Sequence, residues 1–100
     1  MAVLYISEYS FQRADYRGSI IPVGAEPAVT TQTVAIGGGS VASAAFQATT
    51  NFIRLHTDAI CSVEFGTAPT ATTASARMAA GQTEFFGVMP GNKVAVISNT

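Results

Sequence analysis

The residues able to do chemistry in this chain are few and stand apart. Its one histidine, His56, and its one cysteine, Cys61, lie close in sequence, but a metal or catalytic role needs further partners at fixed geometry, and two soft ligands do not make a site. His56 reads as a surface or subunit-contact residue. Cys61 alternates with Val63 and Phe65, which places it on an apolar face as a small buried residue with an inert thiol. The acids Glu8, Asp15, Glu26, Asp58, Glu64 and Glu84 are spread singly, without the close spacing of a calcium loop, and hydrolytic carboxylate chemistry would need two of them to meet in the fold.

Gly37-x-Gly39-x-x-Ala42 follows a β-prone run, with Asp58 further on, and so matches the spacing of a dinucleotide-binding loop. The context opposes that chemistry. The segment after the glycines is short and poorly amphipathic, and no further βαβ units follow. No Lys-Ser or Lys-Thr succeeds the glycines, which excludes a phosphate loop of the Walker type. The run is read as a flexible turn. No catalytic, cofactor-binding or metal-ligating residue is assigned, no cofactor is expected, and the chain is read as a non-enzyme.

The densest polar cluster is Arg13-Ala-Asp15-Tyr16-Arg17-Gly18, flanked by Tyr9 and Phe11. Tyr and Arg are the residue types that contribute most at interface centres. The surrounding stretch, Ser7 to Pro27, mixes Tyr, Arg, Gly and Pro without a period. A segment of that length without secondary structure is uncommon in a compact lone domain. It is therefore read as an extended docking arm, with a solvated loop as the plainer reading. The candidate interface is Tyr9, Phe11, Arg13, Asp15, Tyr16 and Arg17.

Composition points the same way. One hundred residues allow a single core, and 48% hydrophobic residues are ample to form one. Charged residues make up 11%, against about 25% in soluble domains. Ser and Thr fill part of that deficit. The rest suggests surface that is covered in the working state. Net charge is −1, and Arg13, Arg17, Arg54, Arg77 and Lys93 form no basic stripe, which disfavours nucleic acid. No apolar run approaches a membrane span and no basic n-region precedes one, so synthesis in the cytoplasm without membrane insertion is expected. One cysteine cannot form an internal disulfide, in keeping with a reducing compartment.

The elements that must position these residues read as strands. Ala2 to Ile6, Ala28 to Ile36, Phe52 to Thr57, Cys61 to Phe65, Gln82 to Val88 and Lys93 to Ser98 are rich in β-branched and aromatic residues. Thr70 to Met78 is extended, and Ser40 to Thr50 leans to strand despite its alanines, because no amphipathic stripe supports a helix. Thr57-Asp58-Ala59 reads as the turn of a hairpin joining its two flanking strands, and Pro90-Gly91-Asn92 as a tight reversal. The expected fold is all-β: a small β-sandwich or barrel of six to eight short, mostly antiparallel strands. In one domain, residues 1–27 give an N-terminal strand and irregular arm, and residues 28–100 the sandwich core.

The order Phe52-Ile-Arg-Leu-His-Thr-Asp-Ala-Ile-Cys-Ser-Val-Glu-Phe-Gly66, Ala68-Pro-Thr-Ala71, Arg77-Met-Ala-Ala-Gly81 and Gly87-Val-Met-Pro-Gly-Asn-Lys-Val-Ala-Val-Ile97 resembles small virion structural proteins of tailed bacteriophages. The nearest class is the auxiliary or decoration proteins of phage heads. About half of the chain carries the likeness, in strand-and-turn patterns that fix no catalytic residue. The resemblance implies a virion location and a β-rich homo-oligomer, often a trimer. It would bind the major capsid protein or other virion proteins and reinforce the shell. A neck, tail or fibre component and a small host- or carbohydrate-binding β-module are the alternatives; an aromatic platform on one sheet face would favour the last, and the lack of Trp weighs against it.

Overall fold

A computed structural model describes residues 2–99, with residues 21–23 described by their backbone alone. Among them are ten strands and no helix: β1 Val3–Tyr9, β2 Gln12–Ala14, β3 Ile20–Gly24, β4 Thr30–Ala35, β5 Val41–Ala42, β6 Phe52–Thr57, β7 Cys61–Gly66, β8 Ala76–Met78, β9 Thr83–Gly87 and β10 Lys93–Ser98. Two antiparallel four-stranded sheets, in the orders β4-β1-β6-β9 and β5-β10-β7-β8, face each other as a sandwich. β2 and β3 form a separate two-stranded ribbon. The all-β sandwich expected from the sequence is the observed fold.

Period-2 alternation builds the core. In β1 and β6 every second residue turns inward, so Leu4, Ile6, Ile53 and Leu55 meet Val63, Val94 and Val96 from the opposite sheet, with Phe46 and Met78 closing the cluster. Each of these aliphatic side chains is at most 2% exposed, and burial of one contributes about 1.5–3 kcal/mol. Cys61 belongs to this cluster. Burial pushes its thiol pKa up, so thiolate is scarce at neutral pH.

The hairpin expected between Phe52–Thr57 and Cys61–Phe65 does not form. β6 pairs with β1 and β9, whereas β7 pairs with β10 and β8 in the other sheet. Asp58 to Ile60 carry the chain across the sandwich as an arch. Both strands direct their apolar residues into one core from opposite sides, which paired neighbours of a single sheet would do from the same side. Thr57 supports the arch: its Oγ1 donates to Ala59 O at 2.6 Å and accepts from Cys61 Sγ at 3.4 Å.

Three further expectations meet the structure differently. Ser40 to Thr50 holds only the two-residue β5 and otherwise crosses between sheets as a loop, consistent with its missing amphipathic stripe. The arm is not wholly irregular, because the β2–β3 ribbon occupies its middle, with a register shift between Gln12 and Ala14. β1 is an interior strand with partners on both sides, so the projecting part is residues 12–24 and the N-terminal strand belongs to the sandwich. The Pro90-Gly91 reversal is as read: Asn92 N donates to Met89 O at 3.2 Å, and Gly91 adopts φ 84°, which the third position of a type II turn requires.

One inward position of β1 is polar. Glu8 continues the Leu4-Ile6 stripe and is fully buried. Its Oε1 accepts from the Gln47 backbone N–H at 2.9 Å and from Thr50 Oγ1 at 2.7 Å, while Oε2 accepts from Gln32 Nε2 at 3.1 Å. Gln32 in turn holds Ala44, accepting from its N–H at 2.9 Å and donating to its carbonyl at 3.3 Å. An amide at position 8 would put an N–H₂ group against one of these donors, and turning Gln32 to suit it would break the contacts with Ala44. Glu8→Gln is therefore expected to lower stability by about 1–3 kcal/mol in chemical denaturation. A change below about 0.5 kcal/mol would show that the carboxylate is dispensable.

Candidate functional site

The two outer faces of the sandwich differ. On the β5-β10-β7-β8 sheet the outward residues Ser62 and Ala95 are fully buried, because the β7–β8 connection folds back over them. Its hydrogen bonds mark that path: Asn99 Nδ2 donates to Ser62 Oγ at 2.7 Å and to Thr73 O at 3.2 Å, Ser75 Oγ donates to Glu64 Oε1 at 3.0 Å, and Ala71 N donates to Ser40 Oγ at 2.8 Å. The β4-β1-β6-β9 sheet has no such cover from this connection. Its outward residues lie in cross-strand rows, Tyr5 with His56 and Thr83, Ser7 with Arg54 and Phe85, Tyr9 with Phe52 and Gly87.

These rows bring His56, Arg54 and the Tyr5, Tyr9, Phe52 and Phe85 rings to one face. His56 Nδ1 lies 2.7 Å from Thr83 Oγ1, with the Tyr5 ring 6.2 Å away. His56 and Cys61 sit on different sheets, one facing out and the other in, so they form no pair. Among the described residues no three His, Cys, Asp or Glu side chains come together as a metal site would require. The Gly37-Gly38-Gly39 run crosses from β4 to β5, and no helix follows it.

Tyr9 anchors one end of the face. Its ring stacks on Phe52 at 5.3 Å and 19°, and its hydroxyl donates to Glu26 Oε2 at 2.6 Å. The β3 backbone comes so close that a Cβ at Gly24 would lie 2.5 Å from the Tyr9 ring, which is why a residue without a side chain stands there. Between this anchor and the sheet is a cleft of about 570 Å³, lined among others by Ser7, Tyr9, Glu26, Thr31, Arg54 and Phe85. A second cleft of about 380 Å³ adjoins it at Phe85 and runs under Phe11, Phe52 and Asn51.

The structure separates the six candidate interface residues into three groups. Tyr9 is 5% exposed and acts as the anchor just described. Phe11 is exposed and walls the second cleft. Arg13, Asp15, Tyr16 and Arg17 lie on the ribbon beyond the sandwich, where Asp15 is the builder of the turn: its Oδ1 accepts from the N–H groups of Arg17 at 2.8 Å and Ser19 at 2.9 Å. Tyr16 stands fully outward at 90% exposure, with Arg17 Nε donating to its hydroxyl at 3.1 Å. Sequence reasoning missed Glu26, Arg54 and Phe85 as a group. The alternation of Phe52, Arg54 and His56 puts Arg54 on an outer face, but only cross-strand register brings Phe85 beside it, and only the β3–β4 connection, held by the Tyr9 hydroxyl, brings Glu26.

Comparison of the chain with protein-family models, with curated proteins and with solved structures finds no match.

The hydrogen bond to Glu26, burial and the Glu26 charge together hold the Tyr9 phenol above its ordinary pKa of 10.0. A raised folded value means that the contact stabilises the fold fully below the unfolded tyrosine pKa and is lost as pH rises through the folded one. Ultraviolet titration should accordingly show a late-ionising phenol that disappears in Tyr9→Phe and moves to lower pH in Glu26→Gln. An unchanged titration in both variants would refute the pairing.

Proposed function

We propose that the chain is a non-enzymatic assembly protein, a virion structural component of the phage head decoration class, which docks through the tip of the β2–β3 ribbon. The observation that carries this reading is the ribbon itself. Among the described residues it is hydrogen-bonded only within itself, on a molecule 46 Å long and 25 Å wide, and it presents Tyr16 at 90% and Ile20 at 71% exposure. Large apolar and aromatic side chains on a structured projection are unfavourable in water and suit burial by a partner. The resemblance of Phe52 to Ile97 to virion proteins supplies the partner class: the major capsid protein or another virion protein, with self-association into a small homo-oligomer. A neck, tail or fibre location would use the same projection. With 11% charged residues, such an interface relies on apolar and backbone contacts and is only weakly screened by salt.

Deleting residues 1–27 would remove β1 from the centre of a sheet, so the test is confined to the tip. The double variant Tyr16→Ala/Ile20→Ala should leave the fold intact and weaken binding to purified phage shells, or self-association in sedimentation, by about tenfold or more. The wild-type interaction should persist at about 1 M salt. The reading fails if the protein is monomeric at every accessible concentration and binds no shell, or if the double variant behaves as wild type.

A further inference from the structure

We infer that the groove formed by the two clefts on either side of Phe85 is a binding site for a neutral saccharide chain. The inference stands on the β4-β1-β6-β9 face and is independent of what the ribbon tip docks to.

The larger cleft mixes three kinds of surface. Phe85 is 53% exposed and offers an aromatic face. Arg54 contributes five N–H donors, and its guanidinium makes no hydrogen bond or ion pair to another described side chain. Opposite in character, Glu26 accepts the Tyr9 hydroxyl on Oε2 and keeps Oε1 as a free acceptor among the described residues, while Ser7 and Thr31 add hydroxyls that can donate or accept. A volume of about 570 Å³ lies within the range of small-molecule sites.

These features decide between ligand classes. An apolar ligand would desolvate Arg54 and the open Oε1 of Glu26 without giving either a partner, at a cost that contact with one phenyl ring would not offset. An anion would gain from Arg54 but meet Glu26, and no second cation lines the cleft. A pyranose presents an apolar C–H face to lie on Phe85 and a rim of hydroxyls, each both donor and acceptor, to satisfy the guanidinium, the carboxylate and the two hydroxyls together. Phe85 also lines the adjoining cleft of about 380 Å³, where Phe11 offers a second exposed ring. One ring shared by two consecutive clefts suits a ligand that repeats, which is why a chain of sugars fits better than a single one.

Amide chemical-shift titration of the full chain with cellotetraose, maltotetraose, mannotetraose and tetra-N-acetylchitotetraose tests this, with AMP and inorganic phosphate as contrasts. At least one tetrasaccharide at about 10 mM should shift the resonances of Ser7, Arg54 and Phe85. Phe85→Ala, on an exposed edge strand, and Arg54→Gln should each weaken that binding about tenfold. No shift with any of the four sugars, shifts that survive both variants, or equal perturbation of the same residues by AMP or phosphate would overturn the inference.

Discussion

A carboxylate in the apolar end of a sandwich must have its hydrogen bonds met by protein, and Glu8 sets that requirement for the whole molecule. Its donors come from β4 through Gln32 and from the crossing loop through Gln47 and Thr50, so residues far apart in sequence are fixed to the central strand β1. The loop so held delivers Phe46 into the core and bonds to the β9–β10 turn, with Phe46 N donating to Asn92 O at 2.8 Å and Gly91 N to Phe46 O at 3.0 Å. It also places Asn51, which donates from N to Tyr9 O at 2.9 Å and accepts on its carbonyl from Val88 N at 3.0 Å. Asn51 lines the smaller cleft, so the polar centre inside the sandwich determines the floor of the groove outside it.

The asymmetry between the outer faces follows from where the chain spends its connections. The long β7–β8 connection returns over its own sheet and uses the side chains of Ser62, Glu64 and Asn99 to stay there. The β2–β3 ribbon instead projects beyond the β4-β1-β6-β9 sheet, held to it at Tyr9 by Gly24 and by Glu26 just after β3. One face is consequently sealed by the fold, and the other keeps a grooved surface bearing aromatic rings, a guanidinium and a carboxylate. A chain with so few charged residues gathers two of them beside that groove.

Much of this was legible in the sequence because it depends on local rules. β-branched runs mark the strands, alternation marks the inward sets of β6 and β7, and Pro90-Gly91 marks its turn. Glu8 continues the Leu4-Ile6 stripe, but reading Ser7 onward as an arm ends the strand at Ile6, two residues short of it. What alternation cannot carry is the partner. Phe52–Thr57 and Cys61–Phe65 show the same pattern whether they pair in one sheet or face each other across a core, so a hairpin was expected where an arch stands. The ribbon was hidden because its strands are short and its turn rests on Asp15 accepting from two backbone N–H groups, a contact with no periodicity. The groove needs the registers of β1, β6 and β9 together, which no stretch of sequence contains.

The architecture requires Glu8 to pin the crossing loop as firmly as the core, and the Gln47 amide reports this directly. Gln47 lies in an otherwise irregular, largely exposed segment, so without the carboxylate its N–H would exchange at the rate of an open loop. Native-state hydrogen exchange should find it protected to nearly the free energy of global unfolding, alongside the amides of β1 and β6. Exchange at loop-like rates, with β1 and β6 still protected, would contradict the account.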